Sequence, residues 1–375
     1  MKNRKLLIFS PNSNAVSETF IRSHIEELPF DVYPRFGTKW NLLDIKGKKI
    51  FPIMFWLGRV LERVKPTIDK FFFNAMLSTH LKKSTPDYIL AEYGTTAAWL
   101  VGACQAARIP LYVIFHGYDA YQYDVLKENN AKYKEVFQYA SGIIAVSKSM
   151  KAKLISLGAS PDKVRWSPCG VDPDSFRLSE PDKSPPVFFA VGRFVEKKAP
   201  YLTILAFKSV FEKYPEAKLR MAGDGPLLGP CKRLIQALGL DDAVTLLGSC
   251  SSEVVANEMR NARAFVQHSV VAENGDSEGT PVAVIEAQMS GLPVISTNHA
   301  GIPDVVIDKE TGFIVQEGDC ENMAKWMLEV LNNPQLAKEL GQRGRSRAVA
   351  NFSNIKHIGE IANMILKEDT HVANH

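Results

Sequence analysis

Short, almost uninterrupted apolar runs recur along the chain, and most are followed by a stretch of helical periodicity. In the first half these are 5–9 KLLIF, 87–91 DYILA, 111–115 LYVIF and 142–146 GIIAV. In the second half they are 187–191 VFFAV, 217–222 AKLRMA, 243–247 AVTLL, 263–267 RAFVQ, 293–296 PVIS and 312–315 GFIV. A strand covered on one face alternates apolar and polar side chains; a strand covered on both faces does not. The pattern therefore predicts an α/β protein with parallel sheets, and with helices such as 200–213, 251–260 and 281–290 packed on both sides of them. A length of 375 residues exceeds one ordinary core and suits two domains.

Residues 172–186, DPDSFRLSEPDKSPP, interrupt the pattern with prolines and acids and no periodicity. The expected organisation is a Rossmann-like domain over 1–172, a linker over 173–186, a second Rossmann-like domain over 187–353, and a helix with a frayed tail over 354–375. The net charge of +4 suits anionic small molecules or a membrane surface and is too diffuse to imply nucleic acid. Five cysteines without a C-x-x-C pair read as reduced thiols of a cytosolic protein. The opening MKNRKLLIFSPNSN has too short an apolar run for a signal peptide, and no window approaches the ~18 apolar residues of a membrane span. Residues 46–83 mix basic side chains with large aromatics. Two compatible readings stay open: helices packed on the first sheet, and a peripheral contact with the inner face of a membrane.

Residues 277–291 carry the densest chemistry. Thr280 is expected as an N-cap, Pro281 as the first helical residue, and Gly291 with Pro293 as the stop. Val282, Ile285 and Met289 form the apolar stripe, and Glu286 shares the side of Val282. A carboxylate there needs a hydrogen-bonding partner, and a ribose diol is a good one. Glu278, just before the helix, sits where backbone N–H groups and the helix dipole favour a diphosphate. A capping acid plus a structural ion pair explains the same spacing. In VGRFVEKKAP, 191–200, Gly192 allows a tight turn after a strand, and Arg193 and Lys198 could clamp a pyrophosphate, or form a solvated basic turn. MAGDGPLLG, 221–229, misses the dinucleotide fingerprint by one residue, which weighs against a nicotinamide oxidoreductase; Gly223, Asp224 and Gly225 suit a turn beside a nucleotide base. His116 in FHGYDA closes a strand of the first domain, as a structural histidine or one placed at a binding crevice. The D-x-D at 172–174 falls in the linker and is not expected to bind metal, and Asp276 is not expected to be a nucleophile.

Together these motifs resemble the retaining glycosyltransferases of family 4, whose fold is GT-B. The second domain carries the most specific likeness: Glu278-x7-Glu286, Gly192-Arg193-x4-Lys198 and AGDGPL at 222–227. PNSNAVSETFI, FHGYD, HSVVAENGDSEGTPVAVIEA and STNHAGIP look closest to the colanic-acid and exopolysaccharide type. The resemblance implies two Rossmann-like domains facing across a cleft, with a last helix crossing back to the first. It implies a nucleotide-sugar donor held by the second domain, through Arg193, Lys198, Gly223, Asp224, Gly225, Glu278, Gly279, Thr280, Pro281 and Glu286. Glu286 would take the ribose, Glu278 the donor sugar, and Arg193 and Lys198 the diphosphate. His116 would sit near donor sugar and acceptor, with Asn14 and Asp119 on the acceptor side. The family often has a glycine pair where this chain has Asn12, Ser13 and Asn14. The implied reaction is a same-face hexosyl transfer that needs no cofactor and no metal, to an oligosaccharide or lipid-linked acceptor. A nucleotide-sugar epimerase and a catalytically silent sugar-nucleotide binding module are the alternatives.

Overall fold

The computed structural model describes residues 4–13, 19–51 and 66–367. The chain divides into two compact units, Met1–Pro168 with His357–His375, and Cys169–Lys356.

The first unit is built on a sheet of β1 (Lys5–Ser10), β2 (Asp31–Thr38), β3 (Asn41–Leu43), β4 (Tyr88–Glu92), β5 (Leu111–Phe115), β6 (Gly142–Ala145) and β7 (Val164–Trp166). Their spatial order is β3-β2-β1-β4-β5-β6-β7, parallel except for β3. The order reverses between β1 and β4, which pair from Leu6↔Tyr88 to Phe9↔Ala91. The strands β1, β4, β5 and β6 coincide with the apolar runs and are buried along nearly their whole length. β2 was not signalled by its sequence, because Pro34 lacks the N–H a central strand needs. The pairing of β2 with β3 begins only at Phe36, so Pro34 has no ladder partner to satisfy on that side.

The second unit holds β8 (Val187–Val191), β9 (Lys218–Ala222), β10 (Val244–Gly248), β11 (Ala264–Gln267), β12 (Val294–Thr297) and β13 (Gly312–Val315) in the order β10-β9-β8-β11-β12-β13. All pairings are parallel, and the order reverses between β8 and β11. Both units thus carry the Rossmann-like winding expected from the strand–helix alternation. The core of this unit runs through Phe188, Phe207, Leu219, Val266 and Leu340.

Residues 172–186, expected as a linker, belong to the second unit, and the division falls earlier, between Pro168 and Cys169. Their polar groups are taken up locally. Ser179 N donates to Ser290 O at 2.8 Å. Lys338 pairs with Asp182 at 3.0 Å, and Arg345 donates to Phe176 O at 2.9 Å.

The helix Asn354–Lys367 leaves the second unit, and from His357 onward it belongs to the first. It buries Ile358, Ile361, Met364 and Ile365, each worth about 1.5–3 kcal/mol of transfer free energy before entropy is counted. Gly142 on β6 makes the close approach possible, since a Cβ there would lie 2.5 Å from Met364 Sδ. Of the basic-aromatic stretch 46–83, residues 52–65 lie outside the described residues. The helix Pro66–Ser84 buries Phe73, Leu77 and Leu81 while Phe71 is 78% exposed. Among the described residues no helix is long and apolar enough to cross a membrane.

Candidate functional site

In the second unit the candidate residues gather at the carboxyl ends of β8, β9, β11 and β12. After β8 the chain turns at Gly192, and after β9 at Gly223, and the two turns press together. Gly223 has φ +135°, and a Cβ on it would fall 1.9 Å from Gly192 O. Phe194 N donates to Asp224 O at 2.8 Å, and Leu227 N donates to Phe194 O at 2.9 Å. The glycines of AGDGPL are therefore required by backbone packing; Asp224 itself is exposed.

The short 3₁₀ turn Glu196–Lys198 ends at Ala199, whose φ of 35° swings the chain into the helix Pro200–Lys213. This turn aims its two lysines differently. Lys197 is buried and donates to Asp276 Oδ1 at 3.0 Å and Ser277 O at 3.1 Å, which pins the loop before Glu278. Lys198 stands 2.7 Å from Glu278 Oε1. Arg193 is exposed, and it lines a small pocket with Lys198, Val191, Thr203 and Gln267.

Glu278 is 4% exposed. Burial alone would raise its pKa; the charges of Lys198 and Lys197 and the hydrogen bond from Lys198 overcome this and hold it at about 2. Ser269 Oγ donates to the same Oε1 at 3.2 Å. The Glu278 N–H donates to His299 Nε2 at 3.1 Å, which leaves the proton of a neutral ring on Nδ1, 2.6 Å from Glu317 Oε1. Glu317 Oε2 accepts Val271 N at 3.0 Å. Nearby, burial lowers His268 to about 4, in keeping with a neutral ring whose Nε2 accepts Gly318 N at 2.8 Å.

The helix after this loop is Val282–Met289, with Pro281 as its N-cap. Thr280 is not the N-cap, because its Oγ1 accepts Cys169 N at 2.9 Å. Glu286 lies in the second turn, on a partly exposed face. Desolvation pushes its carboxyl up to about 7, against the opposing charge of Lys198. The two acids, alike in sequence, thus differ in charge state: Glu278 is firmly ionised and Glu286 is balanced near neutrality.

In the first unit His116 follows β5. Its Nε2 is 2.7 Å from Glu92 Oε2 at the end of β4, and its ring stacks on Phe20 at 4.5 Å and leans on Tyr93 at 4.7 Å. Asp119 is fully buried and accepts the backbone N–H groups of Gly94 at 2.8 Å, Gly117 at 2.9 Å and His116 at 3.1 Å. It shapes the loop that carries His116. Asn14 lies outside the described residues. Asp172 of the D-x-D caps a 3₁₀ turn through Asp174 N at 3.1 Å and Ser175 Oγ at 2.7 Å. Among the described residues no cluster of histidine, cysteine or acid side chains has the geometry of a metal site.

Sequence reasoning missed Lys197, His299, Glu317 and Glu92. The signal for His299 was its place just beyond the β12 run, the position that singled out His116 after β5.

Comparison with known proteins finds relatives for both halves of the chain. The family model described as glycosyl transferases group 1 matches residues 172–347, and that of glycosyltransferase family 4 matches residues 59–175. The putative colanic acid biosynthesis glycosyltransferase WcaL of Escherichia coli is 30% identical, over 83% of this chain and 78% of its own length. The amylovoran biosynthesis glycosyltransferase AmsK of Erwinia amylovora is 28% identical over 70% of this chain and 65% of its own. The WcaL of Salmonella typhimurium is matched over 61% of its length, so the chain spans under two thirds of two of these relatives. Among solved structures, Anabaena HepE in complex with UDP and glucose superposes with TM-score 0.74 at 16% identity, over 97% of this chain and 99% of that one, a likeness of fold. On these grounds the chain belongs to the family 4 glycosyltransferases.

Proposed function

We propose that the protein moves a sugar from a nucleoside-diphosphate sugar to a saccharide acceptor in exopolysaccharide assembly, with retention at the anomeric carbon. The observation that carries this reading is the Lys198–Glu278 pair at 2.7 Å, with Glu286 held near neutrality in the field of the same lysine. Lys198 acts on both acids, pairing with Glu278 and opposing the burial that raises Glu286, which suits a ligand that offers phosphates, a ribose diol and sugar hydroxyls. Glu286 takes the ribose, Glu278 the donor sugar, and Arg193 with Lys198 the diphosphate, whose developing charge they stabilise without a metal. In the chemical step an acceptor hydroxyl oxygen bonds to the anomeric carbon on the face from which the diphosphate departs. The departing phosphate oxygen takes the hydroxyl proton, so charge and atoms balance. His116 is the first unit's candidate for a contact with the reacting sugar. The HepE structure with UDP and glucose and the polysaccharide relatives support this reading by likeness. The exposed Phe71 is what supports a membrane-facing helix and, with it, a lipid-linked acceptor; the neighbouring Lys70 is paired with Glu135 at 3.1 Å.

A panel of UDP-, GDP- and other nucleotide-sugars tests the reading, first for thermal stabilisation and then for turnover with and without acceptor and chelator. One donor should stabilise the protein and be turned over, with chelator present as without. Donor conversion to an epimer, or binding without any turnover, would replace the transferase reading.

A further inference from the structure

The side chain that fixes His116 is itself held by a hydrogen-bonded chain running through the core of the first unit. Glu92 has no solvent exposure, and its two carboxyl oxygens face two imidazoles: Oε2 is 2.7 Å from His116 Nε2 and Oε1 is 2.7 Å from His24 Nδ1. His24 Nε2 lies 3.0 Å from His357 Nε2, and His357 Nδ1 lies 2.7 Å from Ser167 Oγ. His24 sits on the helix Thr19–Glu27, and His357 sits on the returning helix Asn354–Lys367. His24 and His357 are 0% and 4% exposed. Burying three imidazoles and a carboxylate is unfavourable, and hydrophobic residues would fill the space more cheaply.

We propose that Glu92, braced by His24 and His357, is a positioning residue that fixes the proton of His116 on Nε2 and so leaves Nδ1 as the acceptor atom of the ring. This deepens the transferase reading and rests on it for the role of His116. An ionised carboxylate only accepts, so both rings donate to it, His116 through Nε2–H and His24 through Nδ1–H. With His24 uncharged, its Nε2 accepts from His357 Nε2–H, and His357 Nδ1 accepts from the Ser167 hydroxyl. Every bond of this arm then donates toward Glu92, the arrangement in which successive bonds polarise one another. Opposing effects act on the two ends: burial would raise Glu92, but His24 and His116 hold it at about 2, while burial drives His357 well below its ordinary value. The titratable groups packed around His116 are Glu92 from β4, Tyr93 beyond it, Asp119 from its own loop, Tyr118 through its ring contact with Tyr93, and, through Glu92, His24 and His357. Of these Glu92 makes a side-chain hydrogen bond to the ring. Asp119 accepts only backbone N–H groups in the contacts described above.

Two measurements decide it. Long-range ¹H–¹⁵N spectra of the ligand-free, ¹⁵N-histidine-labelled protein, assigned with His116→Gln, should show neutral His116 as the Nε2–H tautomer. An Nδ1–H tautomer overturns the proposal whatever the protein's substrate. With the donor that the wild type turns over, Glu92→Gln should lower kcat by about 10²-fold, with the donor KM unchanged. It should also move the pH limb that belongs to His116 down by about one unit or more, because a neighbouring carboxylate favours the imidazolium. His357→Gln, which removes the far brace and touches neither His116 nor Glu92, should move the same limb in the same direction by less. Folded variants whose pH profiles superimpose on the wild type overturn the proposal. If no donor is turned over at all, the transferase reading falls, and the tautomer measurement still decides the assignment of Glu92.

Discussion

Lys198 Nζ lies 2.7 Å from Glu278 Oε1, and the neighbouring Lys197 Nζ lies 3.0 Å from Asp276 Oδ1. Two consecutive lysines thus neutralise two acids two positions apart, one pair shaping the loop and the other standing at the site.

Removing Lys198 strands a nearly buried carboxylate. Lys198→Met should cost about 3 kcal/mol in chemical denaturation. The double variant Lys198→Met with Glu278→Gln should recover a large part of that loss, since no buried charge is then left without its counterion. A double variant as unstable as the single one would mean that the pair contributes nothing specific.

Glu278 also sets an acid limit. Its folded pKa of about 2 lies below the ordinary 4.5, so its stabilisation is full above 4.5 and is lost as pH falls toward 2. The contribution is on the order of 3 kcal/mol. Glu278→Gln should flatten this part of the stability–pH curve, measured by denaturation from pH 6 to 2.

Glu286 works the other way. Its folded carboxyl sits at about 7, so its contribution to stability falls as pH rises from 4.5 through 7. If a ribose diol is gripped by the ionised form, nucleotide binding below pH 7 must expel a proton. Calorimetry in buffers of different ionisation enthalpy should detect that release, and Glu286→Gln should abolish it. Glu286→Ala should weaken nucleotide and donor alike, whereas Glu278→Ala should impair transfer more than nucleotide binding. Equal losses of bare-nucleotide affinity in the two variants would contradict the division of roles.

His299→Ala deprives the Glu278 N–H of its acceptor and should cost about 1–3 kcal/mol. Transfer should suffer more than nucleotide affinity, because the peptide that carries Glu278 loses its anchor.

Gly223→Ala should be far worse than Gly239→Ala. Both glycines have positive φ, but a Cβ at Gly239 meets nothing within 4 Å, whereas at Gly223 it collides with Gly192 O at 1.9 Å. The first change should prevent folding or cost several times the ~1–2 kcal/mol expected of the second. Comparable thermal shifts would contradict the packed-turn account.

The strands of the second unit are legible in the sequence because each is a short, mostly apolar run bounded by turn residues, and β11 and β12 are buried along their whole length. β2 is hidden by Pro34 and by its half-buried face, and β7, Val164–Trp166, is too short to show a period. The E-x7-E spacing and the basic turn point to one locality in the second unit. Nothing in the string Glu196-Lys197-Lys198 says which lysine turns inward; that is decided by the backbone at Ala199. The pairing of His24 with His357 spans 333 residues and has no local trace at all. Thr280 misleads for a related reason: its hydroxyl is a good cap, but a distant backbone donor, Cys169 N, claims it.

The first unit needs His357 and the apolar residues beyond it, which are separated from the rest of that unit by the whole of Cys169–Lys356. During synthesis the usual order of events is therefore inverted. The sheet made first must wait, its β6 face uncovered at Gly142, until the contiguous unit translated after it has emerged. Shortening the chain before His357 would therefore damage a sheet whose strands were all made long before the cut.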